Sequence, residues 1–162
     1  RGQNDVVKQA AAAGARAAQQ AATLAPDNAE AQRLQGSLLG EMISVGGTMA
    51  GMRYGARSGE ALEKAMALAP NDPKTLTSRA IGYLFTPAMF GGSKTKATQL
   101  LRKAVSIDPG YDTAYIWLAQ AELMQNQSTA AMSTIQAALK INPERRFAQY
   151  VHQQVEAKQK KG

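Results

Sequence analysis

The chain contains no cysteine and a single histidine, His152. Disulfides, thiolate metal sites and cysteine nucleophiles are therefore excluded, and a His-based metal cluster or catalytic triad lacks the residues to form. Neither G-x-x-x-x-G-K-[ST] nor G-x-S-x-G occurs, which removes the common phosphate loop and the nucleophile elbow. Neighbouring carboxylates are scarce, and Glu60 and Glu63 read as the solvated start of a helix. Valine and isoleucine are few beside alanine, and no segment alternates apolar and polar residues over strand length. Helix is expected and sheet is not. Long apolar runs are missing too. The nearest candidate, "LQGSLLGEMISVGGTMAGM" at 34–52, holds five glycines and places Glu41 near its middle. A charge there costs about 2.5–3.5 kcal/mol on insertion, so the segment reads as a helix-packing surface and not a membrane span. Together these absences argue against an enzyme and against a bound metal or cofactor.

What remains suits one globular domain covering residues 1–162, with 44% hydrophobic residues to build a core. The net charge of +7 raises nucleic acid or an anionic membrane as partners. The cations are scattered, however, with their densest groups at Lys94, Lys96, Arg102 and Lys103, at Arg145–Arg146, and at Lys158, Lys160 and Lys161. Few aromatics stand beside them and no nucleic-acid signature accompanies them, so they read as solvated surface with no nucleic-acid partner. The sequence starts at Arg1, from which a processed or trimmed form is expected. A membrane anchor removed from the N-terminus is compatible with that expectation.

Four stretches share a pattern: "AAQQAATLAPDNAEAQ" (17–32), "ALEKAMALAPNDPKTL" (61–76), "LLRKAVSIDPGYDTAY" (100–115) and "TIQAALKINPERRFAQ" (134–149). Each is an amphipathic, alanine-containing run that ends in apolar-x-Pro, followed by a polar turn and a new helix. Proline cannot continue the hydrogen-bond ladder, so it marks where each helix stops. Pro26, Pro70, Pro109 and Pro143 are 44, 39 and 34 residues apart, and the last interval is that of a two-helix repeat. Within the unit that opens at Asp112, Tyr115 takes the bulky aromatic position and Leu118–Ala119 the close-packing pair. Ala131, Ile135 and Ala138 form the small-large-small face of the second helix. Against the pattern of the two-helix repeat proteins that these units resemble, Glu122 stands where an aromatic is usual and Ser58 where alanine is usual.

Relative to a 34-residue unit, one repeat carries ten extra residues, assigned to the Gly- and Met-rich stretch 40–56. The next carries five, assigned to its opening loop, which includes "LFTPAMFGGSKTKA" at 84–97. In that loop Pro87 stops a helix, Gly91–Gly92 permit reversal and Ser93 suits an N-cap. Phe85, Met89 and Phe90 are expected to plug one end of the helix stack. The last helix, about 145–160, is expected to present Phe147, Val151 and Val155 on one face as a cap.

Over roughly residues 17–150 the chain resembles the tetratricopeptide repeat (TPR) superfamily. The resemblance implies an all-α fold: a TPR-like stack of antiparallel helix hairpins, with an inserted Gly/Met-rich segment and a C-terminal capping helix. More narrowly, "PAMFGGSKTKA" followed by "IDPGYDTAYIWLAQAEL", and "GMRYGARSGEALEKAMALAPNDP", resemble a bacterial envelope subgroup. That subgroup includes the periplasmic partners of TRAP-type solute transporters and TPR proteins that accompany lipid or sterol export. It implies a periplasmic or outer-membrane-associated location, and a transporter or periplasmic binding protein as partner. The concave positions of such a stack fall here on Thr77, Ile81, Leu84 and Phe85, then on Thr113, Ile116, Gln120, Leu123 and Met124. A subset of the family grips peptide C-terminal carboxylates with Lys and Asn on this face. Thr77, Ile81, Ile116 and Gln120 occupy comparable places and only Lys74 is basic, so that mode is not expected.

An apolar concave face needs a cover. The insertion folding back, an apolar lipid- or sterol-like small molecule, and a helix from a partner protein all meet that need. The flexible Met42, Met49, Met52 and Met89 suit an irregular pocket. The expected role is a non-enzymatic binding component of an envelope transport system. It would hold an apolar ligand on Met42, Met49, Ile81, Leu84, Phe85, Phe90, Ile116, Trp117 and Leu123. The alternative is a TPR protein–protein interaction scaffold whose groove is self-filled.

Overall fold

The computed structural model describes residues 2–160, and every regular element among them is helical. The chain forms two compact units, Arg1–Asn71 and Asp72–Gly162.

The first unit consists of α1 (Gly2–Leu24) and α2 (Ala29–Leu68). Asn28 starts α2 as an N-cap, its Oδ1 accepting the Ala31 N–H at 2.9 Å. This helix is broken once, at Gly47, where φ is 65° and ψ is −152°. That backbone region is open essentially to glycine alone. The break turns α2 into a hairpin whose two arms run back along each other. Ser58 Oγ donates to the Gly36 carbonyl across 22 residues at 2.7 Å, and Leu62 packs where a Gly36 Cβ would stand. The small residue at 36 lets the arms close, and Ser58, polar at a position that favours alanine, is satisfied by that closure. The ten extra residues are thus spent lengthening the two arms. On the other side Ala15, Ala18 and Ala22 of α1 are buried, and Leu38 lies within van der Waals reach of Gly14.

The second unit holds α3 (Pro73–Phe85), a 3₁₀ turn (Ala88–Phe90), α4 (Lys94–Ile107), α5 (Asp112–Leu123), α6 (Ser128–Ile141) and α7 (Arg146–Gln159). Capping fixes the starts of α3 and α4: Asp72 Oδ2 accepts the Thr75 N–H at 2.7 Å and Ser93 Oγ accepts the Lys96 N–H at 3.2 Å. The repeat prolines fall just beyond the helix ends, at Pro26, Pro70, Pro109 and Pro143, as their spacing predicts. α3 and α5 pack side by side, as do α5 and α7, forming an inner row; α4 and α6 lie behind them. Two cores result. One joins Ala80, Leu84, Ala97, Leu101, Leu118 and Ala121, and the other Ile116, Ala119, Ala131, Ile135, Ala138, Ala148, Val151 and Val155. Val151 and Val155 on α7 close the second core, as a capping helix should.

Glu122 has a physical account. It is buried, accepts from Thr134 Oγ1 at 2.8 Å, and is reached by the exposed Arg102 guanidinium at 3.4 Å. Where an aromatic would fill space between hairpins, this chain inserts a carboxylate satisfied from α4 and from α6.

The Gly47 break yields a prediction. Gly47→Ala retains the helices but forces an L-residue into a glycine-only backbone, at a cost of about 1–3 kcal/mol. Urea unfolding followed by circular dichroism should show the midpoint fall, whereas Gly55→Ala, in open helix, should leave it level or raise it.

Candidate functional site

The inner row of the second unit carries an aromatic stripe. Phe85 comes from the last residue of α3, Trp117 from the middle of α5 and Phe147 from the first turn of α7. The Phe85 and Trp117 ring centroids are 5.8 Å apart at 85°, edge to face, and those of Trp117 and Phe147 are 5.3 Å apart at 59°. Such pairs add about 0.5–1.5 kcal/mol beyond area burial. Trp117 is half-buried, with its base on the core of α3 and α4. The two phenylalanines stay open, Phe85 at 61% exposure and Phe147 at 36%. Successive hairpins thus each contribute one ring to a single apolar row, and that row faces water.

The stripe corrects two expectations. Phe85, Met89 and Phe90 do not plug the end of a helix stack. All three are largely exposed, because the loop is fastened by backbone bonds and not by their side chains. The Ser93 N–H donates to the Tyr83 carbonyl at 3.0 Å and the Gly92 N–H to the Pro87 carbonyl at 3.2 Å, with Gly91 capping the 3₁₀ turn at a φ of 91°. Phe147, in turn, does not continue the buried face of Val151 and Val155. It lies one turn before them and turns toward Trp117.

The nine residues proposed from sequence distribute as follows. Met42 and Met49 belong to the first unit, Met42 half-buried on the first arm of α2 and Met49 exposed just past the Gly47 break. The other seven belong to the second unit. Leu84 and Ile116 are sealed in its two separate cores, and Leu123 packs on the second of them. A ligand pocket cannot use Leu84 or Ile116 without opening a core. Ile81 is half-buried on α3, Trp117 and Phe85 touch, and Phe90 projects from the 3₁₀ turn. Sequence reasoning missed Phe147 as a partner of Trp117. The signal was present: Phe85, Trp117 and Phe147 recur at intervals of 32 and 30 residues, close to the repeat period.

The polar surroundings oppose anion capture. Thr77 and Ile116 are buried, and Thr77 Oγ1 has no hydrogen-bond partner. Arg145 is turned to Asp112 at 3.8 Å and to Thr113 Oγ1 at 3.4 Å, while Arg79 stacks on Tyr83 at 3.8 Å. Among the described residues no group of three or more His, Cys, Asp or Glu could hold a metal ion, and no helix is long and apolar enough to cross a membrane.

The tetratricopeptide repeat family model matches residues 95–153, which run from α4 into α7. No curated protein sequence matches the chain. Among solved structures, a thermophilic TPR protein of Thermus thermophilus superposes with a TM-score of 0.73 at 14% identity, covering 88% of this chain and 71% of its own. The TPR2B domain of yeast Sti1, solved as a complex with pHsp70, gives 0.59 at 20% identity, covering 78% and 97%. The first TPR of Spaghetti (RPAP3), solved with the HSP90 peptide SRMEEVD, gives 0.56 at 18% identity, covering 65% and 82%. The fold is TPR-like, with stacked helical hairpins.

Because Trp117 is the only tryptophan, its emission reports on the stripe. Phe85→Ala combined with Phe147→Ala should shift that emission to the red and raise its quenching by acrylamide. The stability cost should stay below about 3 kcal/mol, since both rings are partly solvated and each pair adds about 0.5–1.5 kcal/mol.

Proposed function

We propose that the second unit is a non-enzymatic protein-interaction scaffold that docks an apolar segment of a partner along Phe85, Trp117 and Phe147. The observation that carries this reading is the open aromatic row shared by three successive inner helices. Rigid rings held in register lose little conformational entropy on binding, and aromatic anchors dominate interface energetics. The TPR match over residues 95–153 and the peptide complexes of the Sti1 and RPAP3 domains support a protein partner.

The chemistry of that partner differs from an acidic tail. The inner positions that would meet a terminal carboxylate are Thr77, Ile81, Ile116 and Gln120, two of them buried, and Arg145 is engaged by Asp112. An amphipathic helix with apolar residues at i, i+3, i+4 and i+7 fits the row better. The segment resemblances to envelope transport proteins favour a periplasmic or outer-membrane-associated transport assembly as its setting, with a transporter or periplasmic binding protein as the partner. A lipid- or sterol-like ligand in an inter-helix pocket gains no support from the peptide-binding neighbours, and Leu84 and Ile116 are closed to it.

The test is a fluorescence titration of Trp117 with a panel of amphipathic helical peptides, with SRMEEVD as comparator. Saturable shifts are expected with apolar helical peptides and none with SRMEEVD. Phe85→Ala together with Phe147→Ala should weaken binding by roughly tenfold or more, at about 1 kcal/mol or more per truncated anchor. Saturable binding of SRMEEVD, with no response to the apolar peptides, would overturn the reading.

A further inference from the structure

The second unit carries charge as well as rings, and its inner face arranges the two crosswise. Residues 72–162 hold twelve Lys or Arg and six Asp or Glu, so six of the seven net positive charges belong to this unit. Most of its carboxylates are engaged elsewhere. Asp72 caps α3, Asp108 accepts from Gly110 in its own turn, and Asp112 meets Arg145 and Asn142. Glu122 is buried between Arg102 and Thr134. Glu156 lies 3.8 Å from His152, nine residues on from Phe147 and so on the far side of α7. Glu144 stands in the turn before α7, beside Arg145 and Arg146. Eleven residues make about three helical turns, so residues that far apart share one line on the helix surface. On α3 the line opens at the exposed Lys74, passes Ser78 and Ile81 and ends at Phe85. On α7 it opens at Phe147, passes Gln154 and ends at the exposed Lys158. Between them α5 shows Thr113, Trp117, Gln120 and Met124, none of them charged. The aromatic row therefore crosses the face obliquely, from the C-terminal edge of α3 to the N-terminal edge of α7. Lys74 and Lys158 take the two remaining corners, one on each side of the row, and no carboxylate stands on the three lines.

We infer that the segment docking here is an acidic amphipathic helix, with an apolar seam at i, i+4 and i+7 and Asp or Glu on both flanks. This rests on the reading of the row as a docking surface and adds the charge of the partner. The ring spacings of 5.8 and 5.3 Å bracket the roughly 5.4 Å pitch of an α-helix. A helix laid along the row sets one seam residue against each ring in turn. Its two flanks then lie toward Lys74 and toward Lys158. Because those cations stand at opposite corners, they favour carboxylates spread along a helix over a single carboxylate at a chain end. Each rim pair is weak in water. Together with the excess of cations on this unit, however, they speed the approach of an acidic helix and disfavour a basic one.

The test titrates the full chain, by Trp117 emission, with three helical peptides of about 18 residues. All carry leucine at i, i+4 and i+7, and their flanks are Glu, Gln or Lys. At low salt the Glu-flanked peptide should bind roughly tenfold more tightly than the Lys-flanked one, with the Gln-flanked peptide between them. The gap should close in about 0.5 M salt. Lys74→Glu with Lys158→Glu should narrow or reverse the order, while circular dichroism and binding of the Gln-flanked peptide stay unchanged. Equal affinity for all three peptides, or an order that the double charge reversal leaves intact, would overturn the inference and leave the docking row standing. Binding of none of the three would overturn both. A dimer that Phe85→Ala with Phe147→Ala dissolves, seen by sedimentation without peptide, would seat a second copy on the row and overturn the acidic helix.

Discussion

Alanine against helix is the contact on which the rest of the structure depends. Ten alanines among the described residues have no exposed surface, and nine of them are in the second unit. A methyl group at each crossing lets neighbouring helices approach more closely than larger side chains would allow. At that spacing the larger side chains, such as Leu101, Ile116, Ile135 and Val151, meet as layers with no room for water. The same closeness brings α3, α5 and α7 near enough for rings on successive helices to touch. Without it Phe85, Trp117 and Phe147 would be three separate surface aromatics. Core packing and the aromatic row therefore have one physical origin.

Several of the buried or half-buried polar side chains are satisfied across helices. Ser58 bonds the Gly36 carbonyl across the first hairpin, Glu122 bonds Thr134 and Arg102, and Gln125 Nε2 donates to Thr98 Oγ1 at 2.7 Å between α4 and the end of α5. Bonds of this kind are worth about 1 kcal/mol each when made and more when broken. Their effect here is to fix the register of one helix against the next. Thr77 is the exception, with an unpartnered hydroxyl in an otherwise satisfied interior.

Much of this was legible in the residues. The prolines at 70, 109 and 143 and the small-large-small faces after Pro70 set the helix ends and the hairpin pairing, because those signals act locally through backbone geometry. Ser93 capped its helix as its type and place implied. Less was visible where distant residues meet. The ten extra residues looked like an insertion able to fold over a groove, yet a single glycine at φ 65° turns them into longer arms of one hairpin. Conformation at one residue is not encoded in a composition of many glycines. Family positions do not tell an open side chain from a core one. Ile116 and Trp117 are adjacent in sequence, yet one is sealed and the other joins the stripe. Phe147 was assigned by helical period to the capping face, and the period could not show that its ring turns toward α5.

The central claim is that the inner helices form the working surface while α4 and α6 hold it in place. Amide hydrogen exchange on the full chain, with and without the tightest-binding apolar helical peptide, tests it most directly. The account predicts added protection along α3, α5 and the first turn of α7, with α4 and α6 unchanged. Protection confined to α4 and α6, with the stripe helices unaltered, would contradict it.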